Sequence, residues 1–398
     1  MSRIAFLAVT TSMFAGPIFA VDDLHTIEEP ISFQNGKQGI FHRLDDWLEN
    51  GNPARVADPN SISSRIRNNL RMTIDLSGRS VLSQRAGKSA SGSVVFLGID
   101  VHKVFSDEEG DWASLLAQPY LTKLNNVRGP HFFDDDNDWE MVYRITNINF
   151  TRLFGKHMNL KVGHFEVPYG LELPINTNGT LRDMASGKNL GVKADWGVTL
   201  NGAFTDFEYE FSISRGSGNE YFDTESPYAI AGRIGSNEDR NVMVGASFFH
   251  GEIWNPGALA GYKAGLVDAS GVIGNVIDRQ RFGFDLRYHF EKPVTILAEF
   301  NWGRDFERKV FNSLLEFDVY NPSRSLMWFS QFNYLSEEYE SAMGGWQSFI
   351  NGSLGCRWNP GNNWALSTMF IQELSTKHPA DAVKRLGGVF FTQVRYRF

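Results

Sequence analysis

The sequence predicts an all-β chain, a transmembrane antiparallel β-barrel of about 16 strands with a short N-terminal periplasmic segment. Three observations carry that expectation. Stretches of roughly ten residues, the length a tilted barrel strand needs, alternate apolar and polar side chains from about residue 64 onward. The connectors between them alternate between short turns and long loops. The chain ends "GGVFFTQVRYRF", where Val394, Tyr396 and Phe398 alternate with Gln393, Arg395 and Arg397 and an aromatic residue is last.

The first 20 residues read as a secretory signal. Arg3 precedes an apolar stretch to Phe14, a Gly16-Pro17 pair breaks it, and Ala20 precedes "VDD". Ile18 stands where a smaller residue is usual, and the cleavage point is placed after Ala20. Residues 21–62 form the periplasmic segment, and within them Ile40, Phe41, Leu44, Trp47 and Leu48 share one face of a short helix that ends at Gly51. That helix either packs across the barrel mouth or docks a partner. The barrel is assigned to residues 63–398.

Composition agrees with this division. Of the 398 residues 14% are aromatic and 38 are Gly, while the mean hydropathy is mildly negative, which suits strands with one wet face. No run of 18 apolar residues follows the signal, so no helix spans a bilayer. The single cysteine, Cys356, excludes an internal disulfide framework, a Cys-based metal cage and a C-x-x-C-H haem attachment, and no cofactor is expected. A formal net charge of −8 argues against nucleic acid as a partner.

Taking the strands in order, "RIRNNLRMTIDL" places Leu70, Met72, Ile74 and Leu76 opposite in parity to Asn69, Arg71, Thr73 and Asp75. Further strands are expected near 92–104, 113–124, 139–152, 157–167, 189–202, 206–215, 228–236 and 241–252. "RQRFGFDLRYHFE" is the cleanest, with Phe282, Phe284, Leu286, Tyr288 and Phe290 set against Arg281, Gly283, Asp285, Arg287 and His289. The last six are expected near 294–304, 309–320, 325–336, 346–358, 363–373 and 388–398. An even total is what a closed antiparallel barrel requires.

Short inner turns are expected at 155–157, 202–206, 236–240, 291–293, 321–323 and 359–362, rich in Gly, Pro, Asn and Asp. Outer connectors are expected at 78–91, 125–138, 168–188, 216–227, 253–279 and 374–387. Two features break the rhythm: "FSDEEGD" at 105–111 is long for an inner turn, and the outer connector near Asp305 is short. The competing architecture, a soluble sandwich, would need apolar residues concentrated on two facing sheets, and nothing in the sequence separates such halves.

The segment "MNLKVGHFEVPYGLELPINTNGTLRDM" carries a family resemblance. Gly163, Phe165, Pro168, Tyr169, Gly170 and Glu172 match the strand that leads into the pore loop of the phosphate-selective porins, so the chain resembles that family. The resemblance implies a 16-stranded homotrimer in a bacterial outer membrane whose third loop folds into the channel. It would place Glu172, Arg182, Asp183 and Lys188 at the constriction. Phosphate selection in that family depends on dense inward arginines and lysines. Here the loop holds only Arg182 and Lys188 as cations, opposed by Glu172 and Asp183, so the fold carries over and the substrate does not.

Strand parity lines the lumen with Arg65, Arg67, Arg71, Lys161, Lys193, Arg281, Arg287, Arg395 and Arg397. The same parity gives Asp75, Asp100, Asp195, Glu208, Glu210, Asp285 and Glu299. Closure of the last strand on the first is expected to set Arg395 and Arg397 beside Arg65 and Arg67, a basic patch at the inner mouth that would favour anions. "FFDDDNDWE" spaces Asp134, Asp136 and Asp138 as a calcium loop does, but Trp139 and Ile145 replace the Gly and Glu that such a loop needs. A solvated acidic face or a divalent bridge to lipopolysaccharide is the plainer reading.

No G-x-S-x-G elbow and no H-E-x-x-H helix is present, so an enzyme is not expected. The function expected is a water-filled channel for ions and small hydrophilic solutes in contact with outer-membrane lipid. The alternative is a barrel that sheathes a partner multihaem cytochrome in an electron-transfer conduit.

Overall fold

A computed structural model describes residues 69–85, 88–125, 139–151, 153, 157–172, 181–182, 190–218, 226–237, 240–254, 276–290, 293–321, 323, 325–338, 345–361, 363–377 and 387–398. The expected signal, the 40–51 helix, Arg65, Arg67 and the Asp134, Asp136, Asp138 cluster lie outside the described residues.

Sixteen strands run in chain order around one closed barrel. They are β1 (Leu70–Arg85), β2 (Lys88–Asp107), β3 (Gly110–Asn125), β4 (Trp139–Phe150), β5 (Asn159–Glu166), β6 (Ala194–Ala203), β7 (Phe207–Ser214) and β8 (Tyr228–Ser236). The second half comprises β9 (Val242–Trp254), β10 (Val276–His289), β11 (Val294–Asp305), β12 (Arg308–Tyr320), β13 (Leu326–Glu338), β14 (Trp346–Gly361), β15 (Trp364–Lys377) and β16 (Gly388–Arg397). Every neighbouring pair is antiparallel, and β16 closes on β1 through pairs such as Asp75↔Arg397 and Val81↔Phe391. The amide of Phe398 donates to the carbonyl of Ile74, so no open edge remains at the seam.

The polarity of the barrel is inverted relative to a soluble sandwich. Phe282 and Phe284 on β10 are about half exposed at 50% and 55%, while Asp285 between Phe284 and Leu286 is 4% exposed. Leu354, Trp328 and Ile213 repeat the pattern on other strands, large apolar side chains outward. A surface of this kind is stable against lipid and not against water. Aromatic residues ring the end that carries Phe398: the Trp364 ring lies tilted against Tyr396 at 4.6 Å, Tyr288 meets Phe290 edge-on at 4.4 Å, and Phe204 stacks on Phe207 at 4.8 Å. Rings at this level form the girdle that anchors a barrel at the membrane interface. A closed barrel with this apolar belt is an outer-membrane structure.

The sequence misplaces one connector. Residues 78–91 are not a loop: β1 continues to Arg85 and β2 starts at Lys88. Polar residues, Ser80 outward and Arg79 inward, replace the greasy alternation there, so the periodicity is present with little hydrophobic contrast. Both breaks in rhythm have local causes. At 105–111 the strands run on to the pair Asp107↔Gly110 through a bulge at Phe105/Ser106, leaving the two-residue turn Glu108–Glu109, after which Gly110 takes φ 109°. At the short outer connector β11 and β12 pair up to Asp305↔Arg308, and Phe306 supplies the positive φ of 52°.

Candidate functional site

The interior is organised around the segment that follows β5. Gly163 holds φ 131°, and a Cβ there would fall 2.3 Å from the Thr146 carbonyl oxygen, so only glycine keeps β5 against β4 at this point. Beyond Glu166, Val167 and Tyr169 pack with Leu190 and Val192 from the returning leg. They lie against Ala229 and Ala231 of β8, Phe249 and Ile253 of β9 and Ile277 of β10. These wall residues share the parity of buried positions, so the two legs rest on the inner face of the barrel.

Polar contacts fix the first leg. The Tyr169 hydroxyl donates to Asn301 Oδ1 at 2.8 Å, the Gly170 amide to Ser247 Oγ at 3.0 Å and the Leu171 amide to Glu299 Oε2 at 2.8 Å. Glu299 and Asn301 are fully buried, and Asn301 donates to both Glu299 and Asn312. Gly170 has φ 61°, and a Cβ would stand 2.4 Å from Glu299 Oε2. The tight turn and the carboxylate therefore share one volume. On the return leg the Leu190 carbonyl accepts from Arg279, which with Arg281 grips Asp305.

Leu181 and Arg182 sit on the far wall. Leu181 packs with Met327 and Phe329 of β13 and Met369 of β15, flanked by Tyr320, Ile371 and Phe391. Arg182 donates through Nε to Glu316 at 2.6 Å, through Nη2 to Glu316 again, and to Asp318 at 3.1 Å. In a ring of 16 strands β13 lies opposite β5, so these two residues stand across the lumen from the strand that launches them. Burial opposes the charge on Arg182, but the facing Glu316 and Asp318 carboxylates outweigh it and raise its pKa.

The other expected site residues fall as follows. Glu172 ends a short 3₁₀ turn, Gly170–Glu172, while Asp183 and Lys188 are outside the described residues. Arg71 is exposed on β1 and Arg287 half-buried on β10. Lys161 pairs with Glu210 at 2.7 Å, and Lys193 approaches Glu166 at 3.9 Å. The expected basic patch at the seam is corrected by the register. The position opposite Arg397 is Asp75 and that opposite Arg395 is Ser77; Arg395 bonds Asp75, and Arg397 bonds Asp100 at 2.6 Å. The Tyr120 hydroxyl lies 2.7 Å from Asp75 and 2.9 Å from Asp100, and the Arg144 guanidinium covers the Tyr120 ring at 4.6 Å. Carboxylates therefore offset the two arginines.

Several interior groups escape the sequence reading: Arg79 against Gln393, Arg233 against Asp285, Arg279, Arg144, Tyr120, Glu316 and Asp318. All except Arg79 lie on strands the alternation identifies, and their inward parity was the available signal. Arg79 was hidden by the misplaced connector. Among the described residues no group of three or more His, Cys, Asp or Glu is placed to hold a metal ion.

No family model matches the sequence, and no curated protein matches it. Solved structures do. The chain is similar to the high-pH structure of Pseudomonas putida OprB, with TM-score 0.57 and 8% identity over 83% of this chain and 94% of that one. It is similar to an anion-selective porin from Comamonas acidovorans, with TM-score 0.53 and 12% identity over 83% and 99%. It is also similar to in-vitro folded OmpT, an outer membrane protein of Vibrio cholerae in a trimer form, with TM-score 0.54 and 11% identity over 83% and 99%. At such identities the likeness establishes the barrel fold.

Proposed function

We propose that the protein is an outer-membrane porin through which ions and small hydrophilic solutes diffuse passively. In this reading residues 168–188 narrow the channel, with Glu172, Arg182, Asp183 and Lys188 near the constriction. The observation that carries it is the position of Leu181 and Arg182, set against β12, β13 and β15 on the wall opposite β5. A loop in that position leaves a restricted passage in a polar-lined barrel.

Residues 1–20 serve as the secretory signal, and residues 21–62 lie on the periplasmic side. The protein works as a homotrimer, a reading supported by the trimer form of one similar structure, and its outer face meets lipid and lipopolysaccharide. The diffusion reading is preferred to a sheath around a cytochrome because a sheath needs the lumen clear of the loop. Phosphate selectivity is not proposed, since Arg233, Arg279, Arg281, Arg395 and Arg397 are each engaged by a carboxylate.

Planar-bilayer recording tests the proposal. Purified, folded protein should give stepwise conductance in simple salts. Folded protein that conducts nothing would remove the porin reading.

A further inference from the structure

Two cations face each other on the outer side of the wall where β11 turns into β12. Arg304 and Lys309 are directly opposite in the ladder, both are exposed, and they lie at the end of the barrel away from Phe398. Side chains so placed stand about 5 Å apart at Cβ, where like charges repel. Among the described residues neither forms an ion pair. Arg304 donates through Nε to Gln280 Oε1 at 3.1 Å, and near Lys309 the Glu338 carboxylate accepts from the backbone amide at 3.3 Å. The interior arginines Arg233, Arg279 and Arg281, by contrast, are each answered by a carboxylate.

The ledge that carries the pair is fixed from within. Arg281 donates through Nη1 to the carbonyls of Gln280 at 2.8 Å and Arg304 at 2.7 Å. Only Phe306 and Glu307 connect the two strands, and Phe306 packs on the inner cluster that holds Tyr169 and Ile277. The connector therefore turns inward and leaves the cations uncovered. One outward position below Arg304 comes Trp302, with the rings of Phe282 and Phe284 centred 6.1 and 5.5 Å from it. Over that short step the outer face passes from aromatic rings at the membrane boundary to a pair of positive charges. Glu338 on β13, and Asp278 opposite Glu252 on β10 and β9, flank the patch on its two sides.

We propose that Arg304 and Lys309 form a docking site for the phosphorylated headgroup of a lipopolysaccharide molecule, whose acyl chains lie against Trp302, Phe282 and Phe284. The inference rests on the reading that the outer face meets lipopolysaccharide. A guanidinium and an ammonium side by side offer charge-assisted bonds to phosphate oxygens, and the phosphate removes their mutual repulsion. A free phosphate would use the charged half of the site alone. A neutral lipid would use only the rings. A phosphorylated lipid at the membrane surface uses both, and the two-residue connector gives its headgroup room over the rim.

The test uses the full chain folded in detergent and titrated with bisphosphorylated lipid A, with bound lipid counted by native mass spectrometry. Wild type is compared with Arg304→Gln/Lys309→Gln, and folding is checked by the mobility shift on heating in detergent gels. The double variant should bind at least about tenfold more weakly, the scale of losing hydrogen bonds to a charged group. Lys309→Arg, which keeps the charge, should retain wild-type binding. Lipid A stripped of its phosphates should bind wild type and the double variant alike.

The failures are distinguishable. A folded double variant that holds bisphosphorylated lipid A as tightly as wild type would overturn the site. Complete displacement of lipid A by excess inorganic phosphate would overturn the lipid assignment in favour of a free anion. An equal loss of phosphatidylglycerol binding in the double variant would overturn the choice of lipopolysaccharide over anionic phospholipid. Wild type that retains no lipid A of either kind would sink the reading that this face meets lipopolysaccharide, while the porin reading would still stand or fall on conductance.

Discussion

Arg395 and Asp75 meet across the line where the last strand closes on the first, with Arg395 Nε 2.9 Å from Asp75 Oδ1 and both residues at most 3% exposed. They are not directly opposite in register: Asp75 faces Arg397, and the ion pair is a diagonal one. Tyr120 on β3 and the Arg144 that covers its ring extend the contact, so one network ties β16, β1, β3 and β4.

The first prediction concerns closure. Asp75→Asn should destabilise the folded barrel by about 3–5 kcal/mol, because it leaves Arg395 buried without its counter-ion. Urea unfolding in detergent micelles, followed by tryptophan fluorescence, measures the change. A loss below about 1 kcal/mol, the range of exposed pairs, would mean that water reaches the seam freely.

Selectivity follows from the second pair at the seam. Arg397 is partly exposed while Asp100 beneath it is nearly buried, and the two bond at 2.6 Å. Arg397→Gln should therefore uncover one negative charge at the channel wall and shift the reversal potential in a salt gradient toward cations. An unchanged potential would place this wall away from the path of the ions.

The turn that launches the third loop offers a steric test. Gly170→Ala asks a residue with a Cβ to hold φ 61° and to overlap Glu299 Oε2 at 2.4 Å. Strain of about 1–3 kcal/mol should displace the loop from Ser247 and Glu299 and alter single-channel conductance while the barrel stays folded. Wild-type conductance in Gly170→Ala would show that the turn does not set the channel's width.

The distribution of what was legible in the sequence has a physical basis. Phe282 to Phe290 announces a strand because facing is local: each residue's side is fixed by its immediate neighbours in the chain. Partners are not local. Arg182 and Glu316 are separated by 134 positions, and their contact depends on the path of a loop through the lumen, which periodicity does not encode. The seam shows an intermediate case: parity is local, but the neighbours of Arg395 and Arg397 depend on the stagger between β16 and β1, which sets them beside Asp75 and Asp100.

The last prediction tests the two faces directly at one depth. Phe332 and Asn333 are consecutive residues near the middle of β13; Phe332 is 46% exposed on the outer face, and Asn333 is half-buried on the inner one, opposite Leu314 and Asn351 in the ladders. Phe332→Arg would place a cation in hydrocarbon, which costs about 2–4 kcal/mol at the bilayer midplane. Asn333→Arg adds the same side chain to the polar interior, where water and carboxylates solvate it, so stability should change little and ion preference should shift toward anions. Paired unfolding measurements in phosphatidylcholine bilayers, with reversal potentials for the inner variant, read both effects. Equal destabilisation by the two arginines would contradict the assignment of one face to lipid and the other to an aqueous lumen.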